Sequence, residues 1–473
     1  MSLRPLASPF SLALALALVP TTGANAADLM DAYQLARAGD PQFAAAESSR
    51  LVTREGAAQA RAAMLPQIGA SASYGRSESD NSGTQVLAGQ AFPPSDSSSE
   101  STGHDIGLSL RQMVFDRSSF TRLESQQALA RASDFTLEAE GDELITRTSA
   151  AYFNVLVAIE TLAAAEAQEA ALQKQLDFAE KRLEVGLAPI TDVHEARAQY
   201  EAARANIAVT RAALADAYQA LAEITGVPVA DLQGLPADFQ PQLPVADGAE
   251  GWVATALSTN PNLQATELQV ASANADIKTA RAGRWPTLYL SGQYGDSQSE
   301  GSSTDNIDEI TSDFENESQS RSLTLLLDIP IFEGGAISSR VRQAVASRDV
   351  RADQLEQQRR AVERNTRNAY QTLVSGVSEV EARRLALVSA QSAYEASQVG
   401  FEVGTRTVID VLLNQQTLFD AQRQYALARY NFLQNRLLLE QAAGTLDIED
   451  VQDINRLLTV DADAVLGNPP PAP

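Results

Sequence analysis

Between Ser118 and Val185 the chain runs for 68 residues with no proline and a single glycine, Gly141. Apolar residues recur through this stretch at heptad or near-heptad spacing: Leu123, Leu137 and Leu144; Ile145, Tyr152 and Ile159; Leu176 and Leu183. A helix of that length extends about 100 Å, which no compact globule accommodates. The seven-residue repeat, with alanines between its members, points to coiled-coil packing in a long bundle. Gly186 and Pro189 break the pattern, and a second helix is predicted from Ile190 to about Thr225, 36 residues that reach only half as far back. The 25 residues from Pro41 to Leu65 can cover the remainder, so two short helices end to end are expected against one long one.

The same arrangement occurs twice. Ala151-Tyr152 returns as Ala369-Tyr370, Val185-Gly186 as Val403-Gly404, Asp192-Val193 as Asp410-Val411 and Gly226 as Gly444, each 218 residues later. Asp40-Pro41 answers to Asn260-Pro261 and Leu65-Pro66 to Trp285-Pro286 at 220, and Phe115 to Phe332 at 217. A near-constant offset over most of the chain is an internal duplication, and its small changes fall in loops, where length is free. The first repeat is expected over residues 27–250: a helix, a β-hairpin at 67–115, a long helix at 118–185, a helix at 190–225 and a linker at 226–250. Its partner covers 251–444, with a helix, a hairpin at 287–332, a long helix at 337–403 and a helix at 408–443, followed by a tail at 445–473.

The hairpins have a different texture from the helices. Ile68, Ala70, Ala72 and Tyr74 alternate with Ser71 and Ser73; Ile106, Leu108 and Leu110 alternate with Gly107 and Ser109. Leu288, Leu290 and Tyr294 flank Ser291 and Gln293, and Leu323, Leu325 and Leu327 enclose Thr324 and Leu326. Period-two strands of about nine to eleven residues, apolar on one face and small or polar on the other, are the pattern of a transmembrane β-strand. Two polar loops are expected to join them, Arg76 to Gly103 and the acidic Asp296 to Arg321.

The N-terminus carries Arg4, an apolar run from Phe10 to Val19 and the tripeptide Ala24-Asn25-Ala26, the order of a secretory signal peptide cleaved after residue 26. The ten-residue run is too short to span a bilayer, so no helical anchor is expected to remain. With 36 Lys and Arg against 61 Asp and Glu, nucleic acid is not an expected partner. There is no cysteine, and the two histidines, His104 and His194, stand 90 residues apart. No metal site, cofactor or catalytic constellation is expected, and the chain does not read as an enzyme. A periplasmic coiled-coil scaffold would explain the heptads but not the hairpins. A secreted hydrolase would need a nucleophile and a base placed together.

Four strands cannot close a barrel, and unpaired edges are not tolerated in hydrocarbon. Two chains would supply eight strands and a filled interior; three would supply twelve and a lumen. The small residues Ser71, Ser73, Gly107, Ser109 and Ser291 suit a lumen. The expected fold is therefore an α+β membrane protein: a trimeric 12-stranded transmembrane β-barrel, four strands per protomer, continued by a long α-helical coiled-coil barrel.

Several stretches carry a family resemblance: SAAYFNVLVAI at Ser149–Ile159, RLEVGLAPITDVHEARAQY at Arg182–Tyr200, VGTRTVIDVL at Val403–Leu412 and ARYNFL at Ala428–Leu433. The chain resembles the TolC-type outer-membrane channels, or outer membrane factors, of Gram-negative bacteria. The resemblance implies a homotrimeric conduit held in outer-membrane lipid, with its helical barrel in the periplasm. It further implies a periplasmic adaptor protein and an inner-membrane RND or ABC transporter docked at the tip, in drug efflux or type I protein secretion. The linker at 226–250 and the C-terminal tail would form an equatorial band. Absence of cysteine places the chain with unacylated members.

The resemblance also implies residue roles. Val185, Gly186 and Leu187, with Val403, Gly404 and Thr405, would form the tips against which adaptor hairpins pack. Asp410 would point into the pore constriction, three copies making a carboxylate ring, with Leu413 and Asn414 one turn on. Taken alone, Thr407-Val408-Ile409-Asp410 fits a helix-capping box. Thr191, Asp192 and Arg406 would contribute polar links that hold the gate shut. Two departures stand out. Phe401 occupies the family's gate-tyrosine position and offers no hydroxyl to Asp192, so that link should be absent or replaced. Leu413 stands where the pattern this chain resembles most has a second carboxylate, so the charge ring should be single and the gate less firmly held.

Overall fold

The computed structural model describes residues 28–84, 86–91, 95–187, 189–243, 248–305 and 309–462, together with residue 464. The expected signal peptide and the proline-rich end of the tail lie outside these residues. Two very long helices organise the rest: α3 (Arg117–Glu184, 68 residues) and α7 (Ala336–Glu402, 67 residues). The shorter helices are α1 (Leu29–Gly39), α2 (Pro41–Ala62), α4 (Ile190–Thr225), α5 (Gly248–Thr259), α6 (Pro261–Ala282), α8 (Val408–Ala443) and α9 (Ile448–Asn455). The strands are β1 (Gln67–Gly83), β2 (Ser95–Phe115), β3 (Thr287–Asp305) and β4 (Ile310–Asp328), with two short two-stranded ladders aside among the described residues.

α2 and α4 pack along α3, and α6 and α8 pack along α7. Within each pair the short helices meet end to end, and the meeting point is built the same way twice. Pro41 opens α2 after Asp40, whose carboxylate accepts from the Phe43 N–H at 2.9 Å; Pro261 opens α6 after Asn260, whose side chain accepts from the Leu263 N–H at 3.1 Å. Proline at the first helical position loses no needed donor, and the Asx side chain satisfies one of the free N–H groups. α4 and α8 stop at Gly226 and Gly444, both left-handed at φ +74° and +69°. At the second junction Asn260 Nδ2 donates to the Ala442 carbonyl at 3.1 Å and Thr259 Oγ1 to that of Ala443 at 2.7 Å. The approach is so close that a Cβ on Gly444 would lie 2.5 Å from the Asn260 Cα, and one on Gly39 would lie 2.6 Å from the Thr225 carbonyl oxygen.

The main core lies near the middle of the helices. Tyr152, Val155, Leu156 and Ile159 of α3 are buried with Leu433, Leu437 and Leu439 of α8 and with Leu29, Ala32 and Ala36 of α1. α3 is long and apolar enough to cross a membrane by composition, but these residues pack into the core instead. The connector after Gly226 is drawn onto the same core. Gln233–Gly234 forms a short antiparallel ladder with Val460–Asp461. Tyr152 Oη donates to the Gln233 carbonyl and accepts from its N–H, both at 2.9 Å. α1, α5 and α9 are not legible as separate elements in the heptad pattern; α1 presents Leu29, Ala32, Tyr33 and Ala36, a single buried stripe one turn apart.

The hairpins differ from expectation in length. The strands run 17 to 21 residues rather than nine to eleven, and most of the two stretches expected as loops, Arg76 to Gly103 and Asp296 to Arg321, is ladder. The register simply continues from the apolar rows into Ser-, Thr- and Glu-rich ones, because β pairing needs only the backbone groups and serine and threonine tolerate it. The four strands form one antiparallel sheet in the order β1-β2-β3-β4. Among the described residues, β1 and β4 leave their outer edges unpaired.

Candidate functional site

The register sorts the sheet into two faces. Ile68, Leu110, Gly292 and Leu323 lie opposite one another across the four strands, as do Ala70, Leu108, Tyr294 and Arg321 in the next row on that face. The intervening row on the other face is Gly69, Ser109, Gln293 and Ser322, and the one beyond is Ser71, Gly107, Gly295 and Ser320. One face is thus apolar and the other made of small and polar side chains. A β-bulge between Met113 and Phe115 shifts the phase so that Phe115 falls opposite Leu288 on the apolar face. Ile68, Leu323, Leu325 and Leu327 are exposed, an unpartnered apolar surface that water does not favour.

The apolar band does not run straight across the strands. It is centred near positions 70–72 in β1 and near Leu325 in β4, about five ladder rows nearer the helices. Five residues is ~17 Å along the strand, against ~14 Å for three interstrand steps. A level hydrocarbon band therefore requires strands tilted by roughly 45–50°, close to the tilt of membrane barrels. At the helical end of the band, the Arg117 guanidinium lies over the Trp285 ring, 4.7 Å from its centroid.

At the opposite end of the long helices lie the two tight turns. Gly186 and Gly404 are left-handed at φ +72° and +80°. Each turn closes the same way: the Leu187 N–H donates to the Arg182 carbonyl and the Thr405 N–H to the Gly400 carbonyl, both at 2.8 Å. The Gly186 N–H donates to Leu183 at 2.9 Å and the Gly404 N–H to Phe401 at 3.1 Å. This paired pattern ends a helix while satisfying its last carbonyls, and glycine alone takes its left-handed position without strain. The turns leave Val185, Leu187 and Val403 exposed at the tip.

The two repeats diverge just past the turns. Thr407 caps α8 in a full capping box: its Oγ1 accepts from the Asp410 N–H at 3.3 Å, and Asp410 Oδ2 accepts from the Thr407 N–H at 2.9 Å and its hydroxyl at 2.8 Å. The Thr407 backbone and hydroxyl bonds, with the nearby Arg406 charge, hold the Asp410 carboxyl below the usual carboxylate range. Asn414 Nδ2 donates to the Asp410 carbonyl at 2.9 Å, and Leu413 is exposed beside it. α4 starts instead at Pro189 with no side-chain cap, and among the described residues the Asp192 carboxylate receives a single 3.5 Å contact, from Thr191 Oγ1. The capping reading and a pore-facing carboxylate are compatible, because the cap occupies one oxygen.

Phe401 packs into a small cluster with Leu172, Ala203, Val408, Leu412 and Tyr200. Its ring meets that of Phe178 edge-on at 5.7 Å between centroids, and the Arg182 guanidinium lies over both rings. Phe178 and Arg182 were not among the residues singled out from sequence, although their spacing of four puts them on one face of α3. Nor was the half-buried ion pair at the core: Arg429 Nη2 bonds both Glu160 oxygens at 2.9 and 2.7 Å, and Tyr430 Oη donates to Glu160 Oε1 at 2.9 Å. Burial raises two other carboxyls, on Asp142 and Glu440. Burial, with Glu138 adding, pushes Asp142 up to about 7. Burial, with Asp450 adding and Arg436 opposing, pushes Glu440 up to about 7.

Comparison with known proteins places this geometry. The chain matches the family model described as outer membrane efflux protein over residues 32–227 and again over 252–445. It is 34% identical over 438 residues to outer membrane protein TolC of Escherichia coli, covering 92% of this chain and 86% of that one. It is 29% identical to the alkaline protease secretion protein AprF of Pseudomonas aeruginosa, covering 91% and 87%. Its fold is similar to that of the Campylobacter jejuni CmeC outer membrane channel, with a TM-score of 0.71 at 16% identity over 97% of this chain and 98% of that one.

Proposed function

The chain belongs to the outer membrane efflux protein family, and from that premise we propose that three copies assemble into one exit duct across the outer membrane and periplasm. The protein is an outer-membrane channel of the TolC type, with its helical part in the periplasm, and it is the exit channel for drug efflux, type I protein secretion or both. The observation that carries the trimeric duct is the sheet: four strands with an apolar face, a small-residue face and two open edges, continuous with helices ~100 Å long. Pairing β4 of one chain with β1 of the next closes twelve strands, removes the edges from hydrocarbon and turns Ser71, Gly107, Gly295 and Ser320 to the lumen.

In this reading the turns at Val185–Leu187 and Val403–Thr405 are the periplasmic tips, and their exposed valines and leucine receive the adaptor of an RND or ABC transporter. Asp410 forms a ring of three carboxylates at the constriction, with Leu413 and Asn414 as its collar. Thr191, Asp192 and Arg406 face the neighbouring copy as gate links, and Phe401 departs from the polar scheme. Carboxylates ionised at neutral pH and facing one another favour cations and bind multivalent ones. A conduit needs no substrate-shaped pocket, so substrate choice belongs to the transporter.

The test is ion conductance of the purified protein in a planar lipid bilayer, with multivalent cation scanned from the periplasmic side. Small cation-selective steps, blocked in wild type and unblocked in Asp410→Ala, are expected. A trimeric, inserted preparation that carries no current refutes the proposal.

A further inference from the structure

We propose that Arg182 is a latch holding the tip closed, a cation seated over the edge-to-face pair of Phe178 and Phe401 that joins the α3–α4 hairpin to the α7–α8 hairpin within one chain. This rests on reading the tip as the gate. The Arg182 guanidinium carbon is 5.7 Å from the Phe178 centroid and 5.4 Å from that of Phe401. Phe178 and Arg182 belong to α3 and Phe401 to the last turn of α7. Arg182 Nη2 also reaches the Leu187 carbonyl at 3.5 Å, so the same side chain touches the α3–α4 turn.

The chemistry suits a latch better than a static strut. Each ring face attracts the cation through its quadrupole, and arginine suits this role because its planar guanidinium is weakly hydrated and always charged. Phe178 and Phe401 are both partly exposed, so the clasp is in contact with water and each contact is modest. It can be released by a docking partner without unfolding either helix. It also accounts for the missing hydroxyl at position 401: an aromatic ring is retained where a cation can use it, and a hydrogen bond to Asp192 is not required. Phe401 packs against the cluster that includes Val408 and Leu412, so moving the ring disturbs the packing at the start of α8, where Asp410 sits.

Single-channel recording tests the latch with Arg182→Gln, Phe401→Leu and Phe401→Tyr, alongside Asp410→Ala and wild type. The one cation–π contact that crosses between the hairpins, Arg182 over Phe401, predicts a rise of about two- to fivefold in the open-to-closed ratio per protomer, and about ten- to a hundredfold if three protomers open together. Arg182→Gln and Phe401→Leu should both show this, their combination should add little to either, and Phe401→Tyr, which keeps the ring, should stay closed. Trimer thermostability should be unchanged throughout, which a merely structural role would not give. Wild-type gating in Arg182→Gln, or opening in Phe401→Leu alone, overturns the latch; if Asp410→Ala still relieves block, the channel reading survives. Absence of conductance from every inserted variant overturns the channel reading itself.

Discussion

Glu160→Ala should damage the helical waist out of proportion to one surface carboxylate. The Arg429 side chain is 6% exposed and its Nη2 makes both bonds to Glu160, while Nη1 donates to the Pro236 carbonyl at 3.1 Å. Tyr430 Oη, which donates to the same carboxylate, also accepts from the Leu235 N–H at 3.3 Å. The pair therefore fastens α3, α8 and the connector at one point. Removing the carboxylate strands a buried guanidinium, which costs about 3–5 kcal/mol; because Glu160 is itself 23% exposed and water can enter, the lower end applies, about 3 kcal/mol. Arg429→Met should cost a similar amount by stranding the carboxylate. Together the two substitutions leave nothing unpaired but the tyrosine hydroxyl, which keeps its backbone donor. The double variant should consequently lose less than about 2 kcal/mol, below either single. Urea unfolding of the purified protein in detergent, followed by helical circular dichroism, measures the cycle. Losses that add to within about 0.5 kcal/mol would show the two groups to be independent and refute the argument.

The remaining expectations are as direct. Leu413→Asp should deepen multivalent-cation block by adding a second ring one turn from Asp410, measured as blocker affinity in the bilayer assay; unchanged affinity refutes the placement of Leu413 at the constriction. Glu440 binds a proton more tightly folded than unfolded, so its stabilising contribution is complete below about pH 4.5 and is lost as pH rises through about 7. Wild type should therefore lose stability from pH 5 to pH 8, by at most about 3 kcal/mol from this group, and Glu440→Gln should flatten the profile in urea midpoints. Gly444→Ala should cost at least about 2 kcal/mol, from the left-handed backbone and the collision with Asn260, whereas Gly141→Ala, which meets open space inside α3, should be neutral or stabilising by up to about 1 kcal/mol. Thermal melts of the two variants side by side decide it.

Period and punctuation made most of the architecture legible. A 68-residue run without proline, ended by Gly186 and repeated to a similar length before Gly404, leaves one physical reading, and the helices end within a residue or two of those signals. Strand faces were legible because alternation has only two phases. Strand length was not: Ser77, Glu78 and Ser79 look like loop in one dimension, and only the facing Ser101, Glu100 and Ser99 make them a ladder. α1 and α5 are too short for the heptad to register and take their stability from a tertiary stripe. At the tip, Asp410 was visible from its capping box and its repeat partner. Phe178 and Arg182 were not, because their meaning depends on Phe401, more than two hundred residues away, and no local pattern carries a three-body contact.

The duplication explains why the two tips differ although the junctions do not. At the junctions both halves meet the same constraint, two helix ends pressed together, and both solve it with an Asx cap, a proline and a glycine. At the tips the proposed gate gives the halves separate tasks. The first turn starts α4 from Pro189 without a side-chain cap, leaving Thr191 and Asp192 available to a neighbour. The second starts α8 with a closed capping box, which fixes Asp410 rigidly and holds its charge at neutral pH. A ring that selects ions needs fixed, ionised carboxylates; a link that must open needs exposed, loosely held ones. Under the proposed gate, divergence just past the two turns is what a repeated hairpin requires, with one copy carrying the charge and the other the links that release. Exchanging the two capping segments should cost the channel its cation block without lowering the stability of its waist.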